Sequence, residues 1–258
     1  IDAMVGFGGF ITVPIGLAFF LLRKPIFIHE QNSILGSANK LLSKVATINF
    51  TAFPLNISIK NNIICGNPIR ESFKSFSEEI ENDGFIKIYI TGGSQGAEYI
   101  NTELPKSLKK FKHQVLIKHQ CGKDKKDLVN DLYKKFKINA EVMEFYNSPE
   151  SQIKWSDFVI SRSGALTISE VTSMSRGLLM IPLPSSIDNH QFYNAKHIEK
   201  INMGFIHEQK DGFEDLSSKL EEIFNQKTYN KWKNSQNTDH LLSAANIANQ
   251  VIEKIEVT

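Results

Sequence analysis

Short runs rich in Ile and Val alternate with segments of helical periodicity along almost the whole chain, and several of the runs end at a glycine or a polar cluster. This alternation is the strongest constraint on the fold, because parallel strands need a crossover between each pair and a helix is the usual one. The first series predicts strand 3–6, turn 7–10, helix 12–22, strand 25–29, helix 34–45, and strands 47–51 and 61–65. Gly66-Asn67-Pro68 then stops regular structure, and a polar segment runs over 71–83 to a turn at Asn82-Asp83-Gly84. The second series predicts strands 85–91, 114–119, 140–145, 158–161, 178–182 and 205–207. Helices are expected at 97–110, 123–136, 149–154, 166–175 and 189–201, with two more at 213–225 and 241–256 closing the chain. The expected class is α/β: two doubly wound parallel units divided near residues 66–84.

Length and composition agree. At 258 residues with 41% hydrophobic and 22% charged residues, the chain is neither disordered nor fibrous and fits two domains. A net charge of +2 gives no field that points to nucleic acid. Cys65 and Cys121 stand alone, with no CxxC pattern, which argues against a disulfide scaffold or a zinc cluster and fits a reducing compartment. Residues 3–22 carry no charge, a length that approaches a membrane span. Gly6, Gly8, Gly9, Pro14 and Gly16 interrupt it, so strand, turn and helix is the better reading. The chain opens at Ile1 in a pattern already under way, which suggests a fragment with an incomplete first domain.

In such sheets ligands sit beyond the carboxyl ends of the strands. The residues there form a consistent set. Gly92-Gly93-Ser94-Gln95-Gly96 joins a strand to a helix, either as an ordinary tight turn or as a cradle whose N–H groups take a phosphate. It matches neither GxGxxG nor a P-loop. Ser163 or Thr167 caps the next helix or binds phosphate; Glu170, three residues after Thr167, completes a capping box or takes a ribose. His29-Glu30-Gln31-Asn32 places four polar groups after a buried strand, with His29 and Glu30 as candidate acid or base, although His29 alone also suits a core histidine. His113, His197, His207 and His240 are expected at the surface. Arginine is scarce, at Arg23, Arg70, Arg162 and Arg176, so each is of interest. No GxSxG elbow and no Asp-x-Asp after a strand occurs.

Taken together, GFGGF at 6–10, HEQN at 29–32, GNPIR at 66–70, GGSQGA at 92–97, RSGALTISE at 162–170 and DNHQFYNA at 188–195 resemble the MurG family. These are the UDP-N-acetylglucosamine transferases that convert lipid I to lipid II in bacterial peptidoglycan synthesis. The resemblance covers nearly the whole chain in order. It implies a glycosyltransferase B-type fold, two Rossmann-like domains with a cleft between them. It implies residues 1–68 as a partial acceptor and membrane-side domain, 69–240 as the UDP-sugar donor domain, and a helix at 241–258 returning to the first. It implies inverting transfer without a metal or other cofactor, with UDP-GlcNAc and polyprenyl-linked lipid I as substrates.

By the same resemblance, Ser94, Gln95 and Arg70 meet the diphosphate, Asn32 and Gln191 the sugar, and the Tyr146 backbone the uracil; Ala165, Leu166 and Thr167 line nucleotide and phosphate, and Glu170 takes the ribose. The family's first glycine-rich loop, thought to serve acceptor binding and catalysis, would lie upstream of Ile1; lacking it, this chain is expected to be inactive, with His29 and Glu30 the catalytic candidates that remain. The expected location is the cytoplasmic face of the bacterial inner membrane, peripherally bound through Leu17, Phe19, Phe20 and Leu21 with Arg23, Lys24, Lys40 and Lys44, and in contact with anionic lipid and other cell-wall synthesis proteins. The alternatives are a UDP-sugar epimerase or another lipid glycosyltransferase, a nucleotide-binding module without turnover, and a nicotinamide dehydrogenase.

Overall fold

The computed structural model describes residues 1–74, 84–235 and 239–256. Most of the polar segment expected at 71–83, with the Asn82-Asp83 turn, lies outside them. Contacts divide the chain into two compact units, Ile1–Glu71 with Thr238–Thr258, and Ser72–Asn237.

In the first unit, β1 (Met4–Gly6), β2 (Ile26–Glu30), β3 (Ile48–Thr51) and β4 (Asn62–Ile64) form a parallel sheet in sequence order, with α1 (Thr12–Leu21) and α2 (Ser37–Leu42) as crossovers. Strand β2 is buried at every residue, as a strand covered on both faces must be. Its side chains alternate between two cores: Ile26 and Ile28 meet Leu42, whereas Phe27 packs with Phe50, Cys65 and Ile247 of the last helix (Asp239–Glu256). That helix is tied to the strand ends by polar contacts: the Asn67 N–H donates to His240 Nδ1 (2.8 Å) and the Ser243 hydroxyl to the Gly66 carbonyl (2.9 Å).

Helix α1 reverses the usual amphipathic arrangement. Its buried residues are Thr12 and Gly16, because a Cβ at Gly16 would stand 2.6 Å from the Leu42 side chain and only glycine lets the helices approach so closely. The large apolar side chains therefore face out, Leu17, Phe20 and Leu21 among them. Phe19 instead packs on the Ile26–Ile28–Leu42 cluster. Among the described residues no helix is long and apolar enough to cross a membrane.

The second unit holds a six-stranded parallel sheet, from β5 (Ile86–Thr91) through β6 (Val115–Gln120), β7 (Ala140–Met143), β8 (Phe158–Ser161) and β9 (Gly177–Met180) to β10 (Gly204–Ile206), in the spatial order β10-β9-β8-β5-β6-β7. Its helices are α3 (Glu98–Ser107), α4 (Lys126–Phe136), α5 (Pro149–Trp155), α6 (Ala165–Ser173), α7 (His190–Lys200), α8 (Gly212–Asn225) and α9 (Thr228–Lys233). The final helix, Asp239–Glu256, is α10. Phe111 stacks on Phe224 at 4.1 Å between ring centres, and Trp232 lies so close over Gly177 that a Cβ there would sit 2.0 Å from the indole.

Three expectations are corrected. The helix expected over 97–110 ends at Ser107 and continues as a 3-10 turn, Leu108–Phe111. Helix α9, too short to show a period, was not foreseen. His207 and His240 are buried rather than exposed: His207 bonds Tyr99 and Asp215 through its two nitrogens and His240 Nδ1 accepts from the Asn67 N–H, contacts that only the folded chain brings into reach.

Candidate functional site

Strand order reverses between β5 and β8: β6 and β7 lie outward on one side, β9 and β10 on the other. At such a point the crossovers leave in opposite directions and open a crevice at the carboxyl ends. A cavity of about 930 Å³ lies there, walled by the loop 92–97, by Ser161, Arg162, Gly164 and Thr167, by residues 183–185, and by Tyr99, Gln191 and Gln209.

Its glycine loop is interlocked with the neighbouring strand. Gly93 and Gly96 have φ of 83° and 70°, and a Cβ on Gly96 would stand 1.9 Å from the Cys121 carbonyl oxygen. Gln120 fixes the loop from beneath, donating to Thr91 Oγ1 (3.2 Å) and the Gly93 carbonyl (3.0 Å). The buried side chains behind it are paired: His119 lies between the Tyr133 hydroxyl (2.9 Å) and Asn101 Oδ1 (3.1 Å), and Asn101 donates to the Cys121 carbonyl. Burial pushes His119 down to about 3, so it is neutral.

Helices α3 and α6 both begin at this cavity, and neither has a side-chain cap. The N-cap of α6 is Gly164, so Thr167 lies inside the first turn and the capping box expected of Thr167 and Glu170 does not form; the Ser163 hydroxyl is buried without a partner. Two uncapped helix starts leave N–H groups and two positive dipole ends for an anion. Arg162 adds a guanidinium, held by the Ile181 and Pro182 carbonyls (3.0 and 3.2 Å) and Gln209 Oε1 (2.8 Å); burial lowers its pKa from the ordinary arginine value.

Of the expected donor contacts, Ser94, Gln95, Thr167 and Gln191 wall the cavity. Gln191 Oε1 accepts from the Leu183 N–H (3.0 Å), which leaves its NH2 as the end to offer a ligand. Ala165, Leu166, Glu170 and Tyr146 are not part of the wall. The Tyr146 N–H already donates to Gln120 Oε1 (3.0 Å), so of its backbone groups the carbonyl is the one left for a base. Tyr99, Arg162 and Gln209 do wall the cavity and were not among the expected contacts; for Arg162 the scarcity of arginine was the available signal.

In the first unit, Arg70 is exposed after the Gly66-Asn67-Pro68 break. Glu30, a candidate acid or base, is held within its own loop. Its carboxylate is buried and accepts from the Asn32 N–H (3.1 Å), Asn32 Nδ2 (3.2 Å), the Gly36 N–H (3.0 Å) and Asn39 Nδ2 (2.8 Å). Four donors saturate it, and it shapes the loop that presents Asn32. His29 is wholly buried, donates from Nε2 to the Gly66 carbonyl (2.9 Å), and is held neutral by burial.

The family models agree with this architecture. Residues 87–251 match the glycosyltransferase family 28 C-terminal domain, and residues 1–51 match the glycosyltransferase family 28 N-terminal domain. The crystal structure of Acinetobacter baumannii MurG superposes with a TM-score of 0.83 at 30% identity, over 100% of this chain and 75% of that one. The chain belongs to the MurG family of glycosyltransferase family 28. Its MurG relatives include proteins named UDP-N-acetylglucosamine–N-acetylmuramyl-(pentapeptide) pyrophosphoryl-undecaprenol N-acetylglucosamine transferase. The one from Saccharophagus degradans is 35% identical over 81% of this chain and 54% of its own length. The one from Aliivibrio salmonicida is 39% identical over 81% of this chain and 60% of its own. The chain thus spans between half and two thirds of the length of these curated relatives.

Proposed function

We propose that this chain carries the donor site of a transferase that moves N-acetylglucosamine from UDP-GlcNAc to the polyprenyl-pyrophosphoryl-MurNAc-pentapeptide acceptor, lipid I, with inversion at the anomeric carbon. The observation that carries the reading is the switch-point cavity, where two uncapped helix starts, a glycine loop and Arg162 converge. In an inverting transfer the acceptor hydroxyl attacks C1 of the sugar from the face opposite the leaving group. The C1–O bond to UDP breaks, and the diphosphate gains negative charge as it departs. Fixed N–H dipoles and a guanidinium aimed at that charge stabilise it in the transition state. This supply needs no ion, and the resemblance likewise implies none.

Within this reading Ser94 and Gln95 meet the diphosphate with the loop amides, Thr167, Ala165 and Leu166 line the phosphate and nucleotide side, Glu170 takes the ribose, the Tyr146 carbonyl meets the base, and Gln191 meets the sugar. Asn32 meets the sugar and Arg70 the diphosphate; the four-stranded sheet of the first unit serves the acceptor side, and residues 69–240 serve the donor. Glu30 and His29 are positioning groups for the Asn32 loop.

The acceptor is a lipid, and α1 suits a peripheral seat at the cytoplasmic face of the inner membrane. Exposed Leu17, Phe20 and Leu21 adjoin Arg23 and Lys24, and Lys40 and Lys44 of the same unit are exposed.

Two measurements test the proposal: titration of the chain with UDP-GlcNAc, and transfer of labelled GlcNAc to a lipid I analogue. Binding with transfer supports it. Binding without transfer makes the chain a donor-binding module, and no binding of UDP or UDP-GlcNAc overturns the donor site itself.

A further inference from the structure

One polar chain at the cavity is absorbed neither by the fold nor by the expected contacts. Tyr99, in the first turn of α3, walls the cavity. Its hydroxyl lies 2.8 Å from Nε2 of His207, at the end of β10, and the two rings stack at 5.8 Å. The His207 side chain is fully buried, and its Nδ1 lies 2.7 Å from Asp215 Oδ2 on α8. The other carboxylate oxygen of Asp215 pairs with Lys219. Asp211 also lies near enough to suggest a metal group with His207 and Asp215, but the Lys219 ammonium on Asp215 and the use of both imidazole nitrogens speak against a cation there.

The hydrogen positions follow from the partners. A carboxylate only accepts, so Nδ1 of His207 carries the hydrogen. In the neutral ring Nε2 is then an acceptor, and the Tyr99 O–H must donate to it. With its hydrogen directed to His207, the phenolic oxygen has lone pairs alone left to offer a ligand. It is matched to a hydroxyl or amide N–H and mismatched to a phosphate oxygen. We infer that Tyr99 contacts the sugar of the bound donor through its phenolic oxygen, with His207 and Asp215 as positioning residues that keep the hydroxyl hydrogen turned away from the ligand. The inference rests on the cavity being the donor site. It adds a discrimination that the helix starts cannot supply: they draw the diphosphate, and the Tyr99 oxygen refuses it a second place at its own end.

Asp215→Asn is the decisive variant. Lys219 keeps the amide oxygen, so the amide NH2 faces Nδ1, the imidazole changes tautomer, Nε2–H donates to Tyr99, and the phenol turns its hydrogen toward the ligand. The readout is the ratio of UDP-GlcNAc to UDP affinity by calorimetry, which partial loss of folded protein does not alter. Tyr99→Phe is expected to lower this ratio by about 3- to 10-fold, the effect of one neutral hydrogen bond, with UDP affinity unchanged. Asp215→Asn is expected to lower it comparably, and the double variant no further. ¹⁵N shifts of the His207 ring should show the proton on Nδ1 in the parent and on Nε2 in Asp215→Asn. An unchanged ratio, a parallel loss of UDP affinity, or multiplying effects in the double variant overturns the inference while the donor site stands. A parent protein that binds neither ligand overturns both.

Discussion

Oε2 of Glu30 lies 2.8 Å from Nδ2 of Asn39, and the same amide nitrogen lies 3.1 Å from the His29 carbonyl oxygen. One side chain of α2 therefore holds both of the last residues of β2, and Glu30 in turn holds the loop that follows. Because the Glu30 carboxylate meets four donors, Glu30→Gln turns an NH2 against N–H groups that had an acceptor. Leaving buried donors unpaired costs about 1–3 kcal/mol. Urea unfolding should show that loss, with faster hydrogen exchange at the Gly36 amide. Full stability in Glu30→Gln would return the residue to the acid–base candidates.

Gly96 is the tightest point of the glycine loop. Gly96→Ala meets both a left-handed φ of 70° and a Cβ position 1.9 Å from the Cys121 carbonyl oxygen. Strain and overpacking of these kinds each cost about 1–3 kcal/mol. The variant should melt lower and lose UDP binding, since relief requires the loop to leave β6. Near-parental affinity would show that the loop's fit against Cys121 is dispensable.

The order of strands and helices was legible because strands buried on both faces leave unbroken apolar runs, as in Phe27 and Ile28 or Val159 and Ile160. The glycine loop and the RSGALT segment were legible because strand ends name the ligand edge. The sequence did not show which polar residues were structural. Glu30 reads as a candidate acid or base because the donors that surround its carboxylate, Gly36 and Asn39, lie six and nine residues on. Tyr99 and His207 are 108 positions apart, and no local pattern links them. The capping box failed because the chain turns into α6 at Gly164, three residues before Thr167, and a box spacing does not fix the helix start.

Glu170 sits on α6 away from the cavity wall, so its ligand role rests on the carboxylate reaching a ribose. Glu170→Ala is expected to weaken UDP-GlcNAc by about 1–3 kcal/mol, the scale of hydrogen bonds to a charged group. Calorimetry reads this directly. Unchanged affinity assigns Glu170 to the helix instead.

His119 makes stability depend on pH. It stays neutral in the fold, with its pKa near 3, while the unfolded chain protonates it below about 6.5. The unfolded state therefore binds more protons between these values, and stability falls as pH drops through that window, by about 1.4 kcal/mol per unit. Between pH 7 and pH 5 the loss from this residue is about 2 kcal/mol. His119→Gln should remove that component, so its urea midpoint should shift less between the two pH values than the parent's. Equal shifts would show that His119 is not held neutral.

The membrane seat is tested on α1, where neighbouring side chains have opposite surroundings. Phe20 and Leu21 are 51% and 80% exposed, whereas Phe19 packs against the cluster of Ile26, Ile28 and Leu42. Burying a side chain such as Phe or Leu in the interfacial region is worth about 1.5–3 kcal/mol. Replacing both Phe20 and Leu21 by Ser should therefore weaken vesicle binding by more than about tenfold without lowering the melting temperature. Phe19→Ser should do the reverse, lowering stability because it removes packing from the sheet. Arg23 and Lys24 follow the helix, and a basic residue near an anionic surface adds about 1 kcal/mol, screened by salt. Co-sedimentation should accordingly favour phosphatidylglycerol over phosphatidylcholine vesicles, and the preference should fade as salt rises. Binding that is indifferent to lipid charge and to the Phe20 and Leu21 replacements would mean that this apolar face is covered by protein rather than lipid.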